Sequence, residues 1–123
     1  MGPRERGTAA DRYTQAAALV RAGEWTSYGD ISAAVHGSGR AARAVGGAAA
    51  TSDSFPNAHR VLRSDGTIAP RTAPHSDDPL AVRARLESEG ISFDARGRAD
   101  PRRRVHWDEL QRRAGAGNAV LER

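Results

Sequence analysis

Between residues 40 and 50 the chain reads Arg-Ala-Ala-Arg-Ala-Val-Gly-Gly-Ala-Ala-Ala. Every side chain in that run is small except Arg40, Arg43 and Val45. Alanine favours a helix, whereas the adjacent Gly46 and Gly47 cost it about 1 kcal/mol each. A helix surfaced in this way can bring its backbone close to another surface, and one of its arginines can reach into a groove or a base stack. An alanine-rich helix packed in the interior is the other reading of the same run. The whole chain is similarly lean, with 38% apolar and 5% aromatic residues in 123 positions. That suits one domain with a small core of Ala, Val and Leu.

The flanking segments supply helical punctuation. Tyr13, Ala16, Ala17 and Val20 recur at helical spacing within a predicted helix from Ala9 to Ala22, which Gly23 would end. Ser27 and Asp30 form a capping-box pattern that opens a second helix, Tyr28 to Val35. His36-Gly-Ser-Gly39 is a turn in which Ser38 can cap a third helix, Arg40 to about Ala50. Helix, glycine turn, helix is the outline of a helix-turn-helix. Further on, Asp78-Pro79 opens a helix carrying Leu80, Val82 and Leu86 that stops at Gly90. Ile91-Ser-Phe93 alternates as a short strand or wing would, and Val105 and Trp107 are expected anchors. The fold class expected is mainly α: a single compact domain with a helix-turn-helix, winged-helix-like. Residues 1–8 are expected to be a flexible arm, 9–113 the domain, and 114–123 a mobile tail.

The formal charge is +4, and all 19 basic residues are arginine. Arginine serves phosphate and base contacts better than lysine, but a GC-rich genome gives the same count, so placement says more. Arg40, Arg43, Arg60, Arg63 and Arg71 face only Asp53 and Asp65 in their stretch, residues 77–94 are net acidic, and 96–113 are basic again. One basic face suits a polyanion. There is no cysteine, which excludes disulfides, thiolate metal sites and a thiol nucleophile. His36, His59, His75 and His106 are scattered without partner ligands, so neither a metal site nor a cofactor is expected. No phosphate-cradling loop supports nucleotide hydrolysis. No stretch is long and apolar enough to span a membrane, and residues 1–10 lack a secretory pattern, so the cytoplasm is the expected compartment.

Three motifs in register are more specific. Thr26-Ser-Tyr-Gly-Asp-Ile31, then Arg40-Ala-Ala-Arg-Ala-Val-Gly-Gly47, then His59-Arg-Val61 with Ser64-Asp-Gly66 resemble the DNA-binding domain of O6-alkylguanine-DNA alkyltransferases over roughly residues 10–94. Leu86-Glu-Ser-Glu-Gly90 continues the likeness. That family attacks the alkyl carbon with a Cys thiolate in a Pro-Cys-His-Arg-Val run, a neighbouring His drawing off the proton. Here the run is Asn57-Ala-His-Arg-Val61, so Ala58 stands where the nucleophile would be. An alanine methyl has no lone pair, and the resemblance therefore implies a protein that is not an enzyme. The chain is similar to the alkyltransferase-like proteins, which usually carry Trp at that position, bind alkylated guanine in DNA, flip it out and mark it for nucleotide excision repair. It lacks the Asn-Pro segment of the alkyltransferases, so their hinge Asn has no counterpart here.

By this resemblance Tyr28 presses on the phosphate 3′ to the flipped nucleotide and Arg43 fills the gap left in the stack. Gly46 and Gly47 permit close approach. Ala58, His59 and Arg60 shape the lesion pocket. Gly66-Thr-Ile-Ala-Pro-Arg71 is similar to the segment whose Arg faces the flipped base. Arg40, Arg63 and Arg102–Arg104 are candidates for phosphate contact. The implied partner is double-stranded DNA containing alkylated guanine, followed by nucleotide excision repair proteins, with the chain acting as a monomer. The alternatives are a sequence-specific helix-turn-helix regulator, disfavoured because residues 40–50 offer only two base-reading side chains, and a protein-binding adaptor that has lost DNA contact.

Overall fold

Thr8 opens the first helix rather than ending a loose arm: its hydroxyl accepts from Asp11 N at 3.1 Å while the Asp11 carboxylate accepts from Thr8 N at 3.0 Å. The computed structural model describes residues 8–51, 55–70 and 78–117. Among these lie five α-helices and one two-stranded pairing: α1 Ala9–Ala17, β1 Thr26–Ser27, α2 Tyr28–His36, α3 Ala42–Thr51, β2 Val61–Leu62, α4 Pro79–Ser88 and α5 Trp107–Gly117. The molecule is mainly α, as expected. Helix α2 sits centrally, packed against α1, α3 and α5. None of the helices is long and apolar enough to cross a membrane.

The expected boundaries needed correction where distant side chains take over backbone groups. Helix α1 ends at Ala17, not Ala22. The carbonyls at and just beyond this end are claimed from elsewhere: Asn57 Nδ2 donates to Ala17 O and Val20 O, Arg113 to Leu19 O, and Arg60 to Val20 O, all at 2.9–3.1 Å. Gly23 is then a separate turn with φ +87°, set so close to α4 that a Cβ there would lie 3.2 Å from Glu89 O. Helix α2 follows the capping box as read and closes on Gly37 with φ 85°. Arg40 belongs to a 3-10 turn, Gly39–Ala41, rather than to α3. The Ser32 hydroxyl donates to Ser38 O and accepts from Ala41 N, which holds the chain in the tighter turn before α3 begins.

Residues 25–27 form the centre of the structure. Thr26 pairs with Val61 and Ser27 with Leu62 in parallel register. On the other side Trp25 N donates to Arg103 O and Val105 N to Trp25 O. Successive strand residues face opposite ways, and β2 shows the consequence. Val61 joins a core of Tyr13, Ala16, Ala17, Val20, Ile31, Val45, Phe55, Val105 and Leu110, whereas Leu62 joins Trp25, Val82, Leu86, Ile91 and Ala99 under α4.

Other sequence expectations fail at the surface. Leu80 is 76% exposed and Trp107, the expected anchor, 46%. Ile91–Phe93 forms no strand; Phe93 makes one antiparallel bridge to Ala99 around a turn at Gly97, so the wing is reduced to that bridge. Ala114–Gly117, the first residues of the expected mobile tail, instead form the last turn of α5, with Ala114 buried in the main core, while 118–123 lie outside the described residues. The reason is that α5 lays Leu110 and Ala114 together, four residues apart, into that core.

Gly66 marks a tight approach. Its φ is +89°, and a Cβ would fall 3.1 Å from Ala99 N and 3.3 Å from Ala99 O. Ala99 N also donates to Gly66 O at 2.9 Å. Gly66→Ala is therefore expected to destabilise the fold by about 1–3 kcal/mol. Urea unfolding checks this; an unchanged midpoint would show that the loop yields freely.

Candidate nucleic-acid interface

The outward face of α2 and α3 begins with how firmly α2 is started. Asp30, 4% exposed, accepts from Ser27 N and Ser27 Oγ, and Arg104 Nε donates to it at 2.8 Å. Thr26 Oγ1 donates to Val105 O at 2.6 Å. Tyr28, the first residue of α2, is thus fixed at its backbone. Its ring is half-buried; burial raises the phenol above its usual pKa while Arg63 pulls the other way, so the hydroxyl stays protonated at neutral pH.

Helix α3 buries Val45 and turns Arg43, Ala44 and Gly47 outward. A Cβ on Gly46 would make ordinary 3.8 Å contacts with the Tyr28 ring, and one on Gly47 would meet nothing within 4 Å. A side chain at either position would therefore meet no clash among the described residues. Arg43 and Gly47 lie one turn apart on the same side. Arg40, on the preceding 3-10 turn, is exposed as well. Among the described residues neither arginine side chain meets a carboxylate or a hydrogen-bond acceptor.

A second group surrounds the 3-10 turn Ala58–Arg60. Asn57 caps it with φ 56°, a conformation that asparagine tolerates better than most residues. Arg60 donates through Nε and Nη2 to both oxygens of Glu89 at 3.0 and 2.9 Å, and through Nη1 to Asn57 Oδ1 and Val20 O. His59 Nε2 lies 3.0 Å from Glu89 Oε2, with its side chain only 4% exposed. Arg60 is the main reason that the Glu89 carboxyl is held down to about 2. Burial is the main reason that His59 titrates below its usual value, against the pull of Glu89. A neutral imidazole facing a carboxylate places its proton on Nε2. Ala58 itself is exposed. His59 and Arg60 thus tie the turn to the end of α4, and no nucleophilic side chain stands beside them at position 58.

Both titrations act in the same direction. A pKa lowered by folding means that the unfolded chain takes up the proton first, so stability is present above the unfolded value and lost as pH falls. The loss starts below about pH 6.5 with His59 and continues from about 4.5 towards 2 through Glu89. Glu89 accounts for on the order of 2–3 kcal/mol. Urea midpoints measured from pH 7 to pH 3 are expected to fall steeply, and Glu89→Gln to flatten the acid limb. A parallel acid limb in that variant would show that other carboxylates govern it.

The sequence model described as "6-O-methylguanine DNA methyltransferase, DNA binding domain" matches residues 9–91. The chain belongs to this family. The crystal structure of S. pombe Atl1 in complex with damaged DNA containing O6-carboxymethylguanine is similar at a TM-score of 0.63 and 28% identity, over 79% of this chain and 94% of Atl1. No curated protein matches the chain by sequence. The likeness to Atl1 sets the chain with the alkyltransferase-like members of the family.

Within this alkyltransferase-family domain, the structure sets the Tyr28 ring beside Gly46 and puts Arg40, Arg43 and Gly47 at the surface of the α2–α3 unit. Ala58, His59 and Arg60 form a separate turn. Arg71 lies outside the described residues. Sequence reading missed Asn57 and Glu89 as members of the second group. An Asn directly before a short turn is a recognisable signal for a left-handed cap; Glu89 lies in the family-like run Leu86–Gly90, but nothing local in that run marks Arg60 and His59 as its partners.

Proposed function

We propose that this protein recognises alkylation damage in double-stranded DNA without repairing it. It binds the minor groove, turns an O6-alkylguanine or another modified base out of the helix, and marks the site for nucleotide excision repair. The observation that carries the reading is Arg43: exposed, unpaired among the described residues, and rooted in a bare Ala/Gly face beside Tyr28. Turning a base out costs a few kcal/mol of lost stacking and pairing. A guanidinium that enters the vacated space recovers part of this by stacking and hydrogen bonding. The smooth face lets the helix lie close enough for that reach. Atl1, the similar structure, was crystallised on DNA carrying an O6-alkylguanine.

The absence of any cysteine removes the thiolate that alkyl transfer requires, and Ala58 occupies the matching place in the His59-Arg60-Val61 run. His59 hydrogen-bonds Glu89 and has nothing at position 58 to deprotonate. The protein on this reading recognises a lesion and leaves it intact, with later repair proteins as partners and the cytoplasm as the place of work. The test is titration of matched duplexes with and without O6-methylguanine, at low and moderate salt. Tighter binding to the modified duplex, weakening as salt rises, is expected. Equal affinity for the two duplexes would remove lesion sensing, and loss of label from an alkyl-labelled duplex at stoichiometric protein would overturn the non-catalytic part.

A further inference from the structure

Resting on that reading, we infer that Arg63 is a second anchoring residue for the DNA backbone, set beside Tyr28 by the parallel β1–β2 register to hold a phosphodiester while Arg43 enters the base stack. The strands pair Thr26 with Val61 and Ser27 with Leu62. One residue further along each chain come Tyr28 and Arg63, so the pairing that buries Ser27 and Leu62 delivers a phenol and a guanidinium to the same edge. Arg63 is exposed. Its position is nonetheless rigid: its N–H donates to Thr67 O at 3.0 Å and its carbonyl accepts from Gly66 N at 2.8 Å.

The guanidinium forms no ion pair or hydrogen bond among the described residues. Asp65 is the nearest acid in sequence and feels its charge, but that carboxylate is held by Thr67 N and Thr67 Oγ1 at 3.0 and 2.7 Å. Arg104, by contrast, is consumed internally by Asp30, Ser27 Oγ and Ser64 O. Arg63 is close enough to Tyr28 to oppose the burial-driven rise of the phenol pKa. A guanidinium on a fixed stem, near a protonated hydroxyl, presents a charged fork of N–H donors and an O–H donor to one phosphate. A backbone contact of this kind carries no base information, so it adds affinity equally to damaged and intact duplex.

The experiment compares wild type, Arg63→Ala and Arg63→Lys on duplexes with and without O6-methylguanine over a range of salt. Arg63→Ala is expected to lose about tenfold in affinity on both duplexes alike. The slope of log K against log salt should shrink by about 0.9, and Arg63→Lys should keep most of that slope. Circular dichroism and urea unfolding of Arg63→Ala should match wild type, because the exposed side chain makes no hydrogen bond or ion pair among the described residues. If wild type binds and Arg63→Ala matches it in affinity and slope, the inference fails while the damage-recognition reading stands. A loss confined to the modified duplex also overturns it, since Arg63 would then read the lesion. If wild type binds neither duplex at low salt, the reading itself fails and takes the inference with it.

Discussion

Arg43→Ala is expected to lower affinity for an O6-methylguanine duplex by roughly 30- to 100-fold while changing affinity for intact duplex far less. The side chain is exposed and makes no hydrogen bond or ion pair among the described residues, so the fold should be unaffected. The magnitude follows from what the guanidinium replaces. Stacking and cation–π contact are worth about 0.5–2 kcal/mol and a charged hydrogen bond about 1.5–3 kcal/mol. A net loss of about 2–2.8 kcal/mol corresponds to that fold-change. Intact duplex keeps its bases stacked and offers no space to enter, so only a long-range charge contribution is lost there. Arg43→Lys should fall between, because an ammonium keeps the charge without the planar stacking surface. Fluorescence of a base analogue placed opposite the lesion would report extrusion directly. Equal losses on both duplexes would reduce Arg43 to an ordinary phosphate contact.

Arg60→Ala is expected to cost about 3–5 kcal/mol of stability, the usual penalty for removing one member of a largely buried ion pair. Both side chains of the pair are only 14% exposed. Without the guanidinium, Glu89 faces a neutral His59, while Val20 O and Asn57 Oδ1 lose a donor. A domain of this size has about 5–15 kcal/mol in total, and the melting temperature should drop by about 15 °C or more. Arg60→Met combined with Glu89→Gln should cost less than the sum of the two single changes, since neither charge is then stranded. A single variant within 1 kcal/mol of wild type in urea would mean that water replaces the guanidinium without loss.

Local signals were legible wherever the cause was local. The Ser27–Asp30 box and the Asp78-Pro79 start each involve atoms within a few residues, and each stands where the pattern put it. The end of α1 was not legible, because it depends on Asn57, Arg60 and Arg113, which lie far away in sequence. The pairing of Thr26–Ser27 with Val61–Leu62 escaped for a related reason: a pairing of that length has no periodicity to show. The candidate site divides in the same way. Arg43, Gly46 and Gly47 stood out through composition, whereas Glu89 gains its importance only from what Arg60 and His59 do around it. Trp107 misled because a large aromatic suggests burial, and here the core positions on α5 are held by Leu110 and Ala114.

The tie between Asp30 and Arg104 separates what evolution makes recognisable from what physics makes stable. The stretch by which the family is recognised stops at residue 91, yet the helix carrying Tyr28 is moored by a guanidinium and a carbonyl at positions 104 and 105. A fragment trimmed to the familiar stretch would retain every signature residue on α2 and α3 and lose the strut that points them outward. The inherited motif is shorter than the unit that folds.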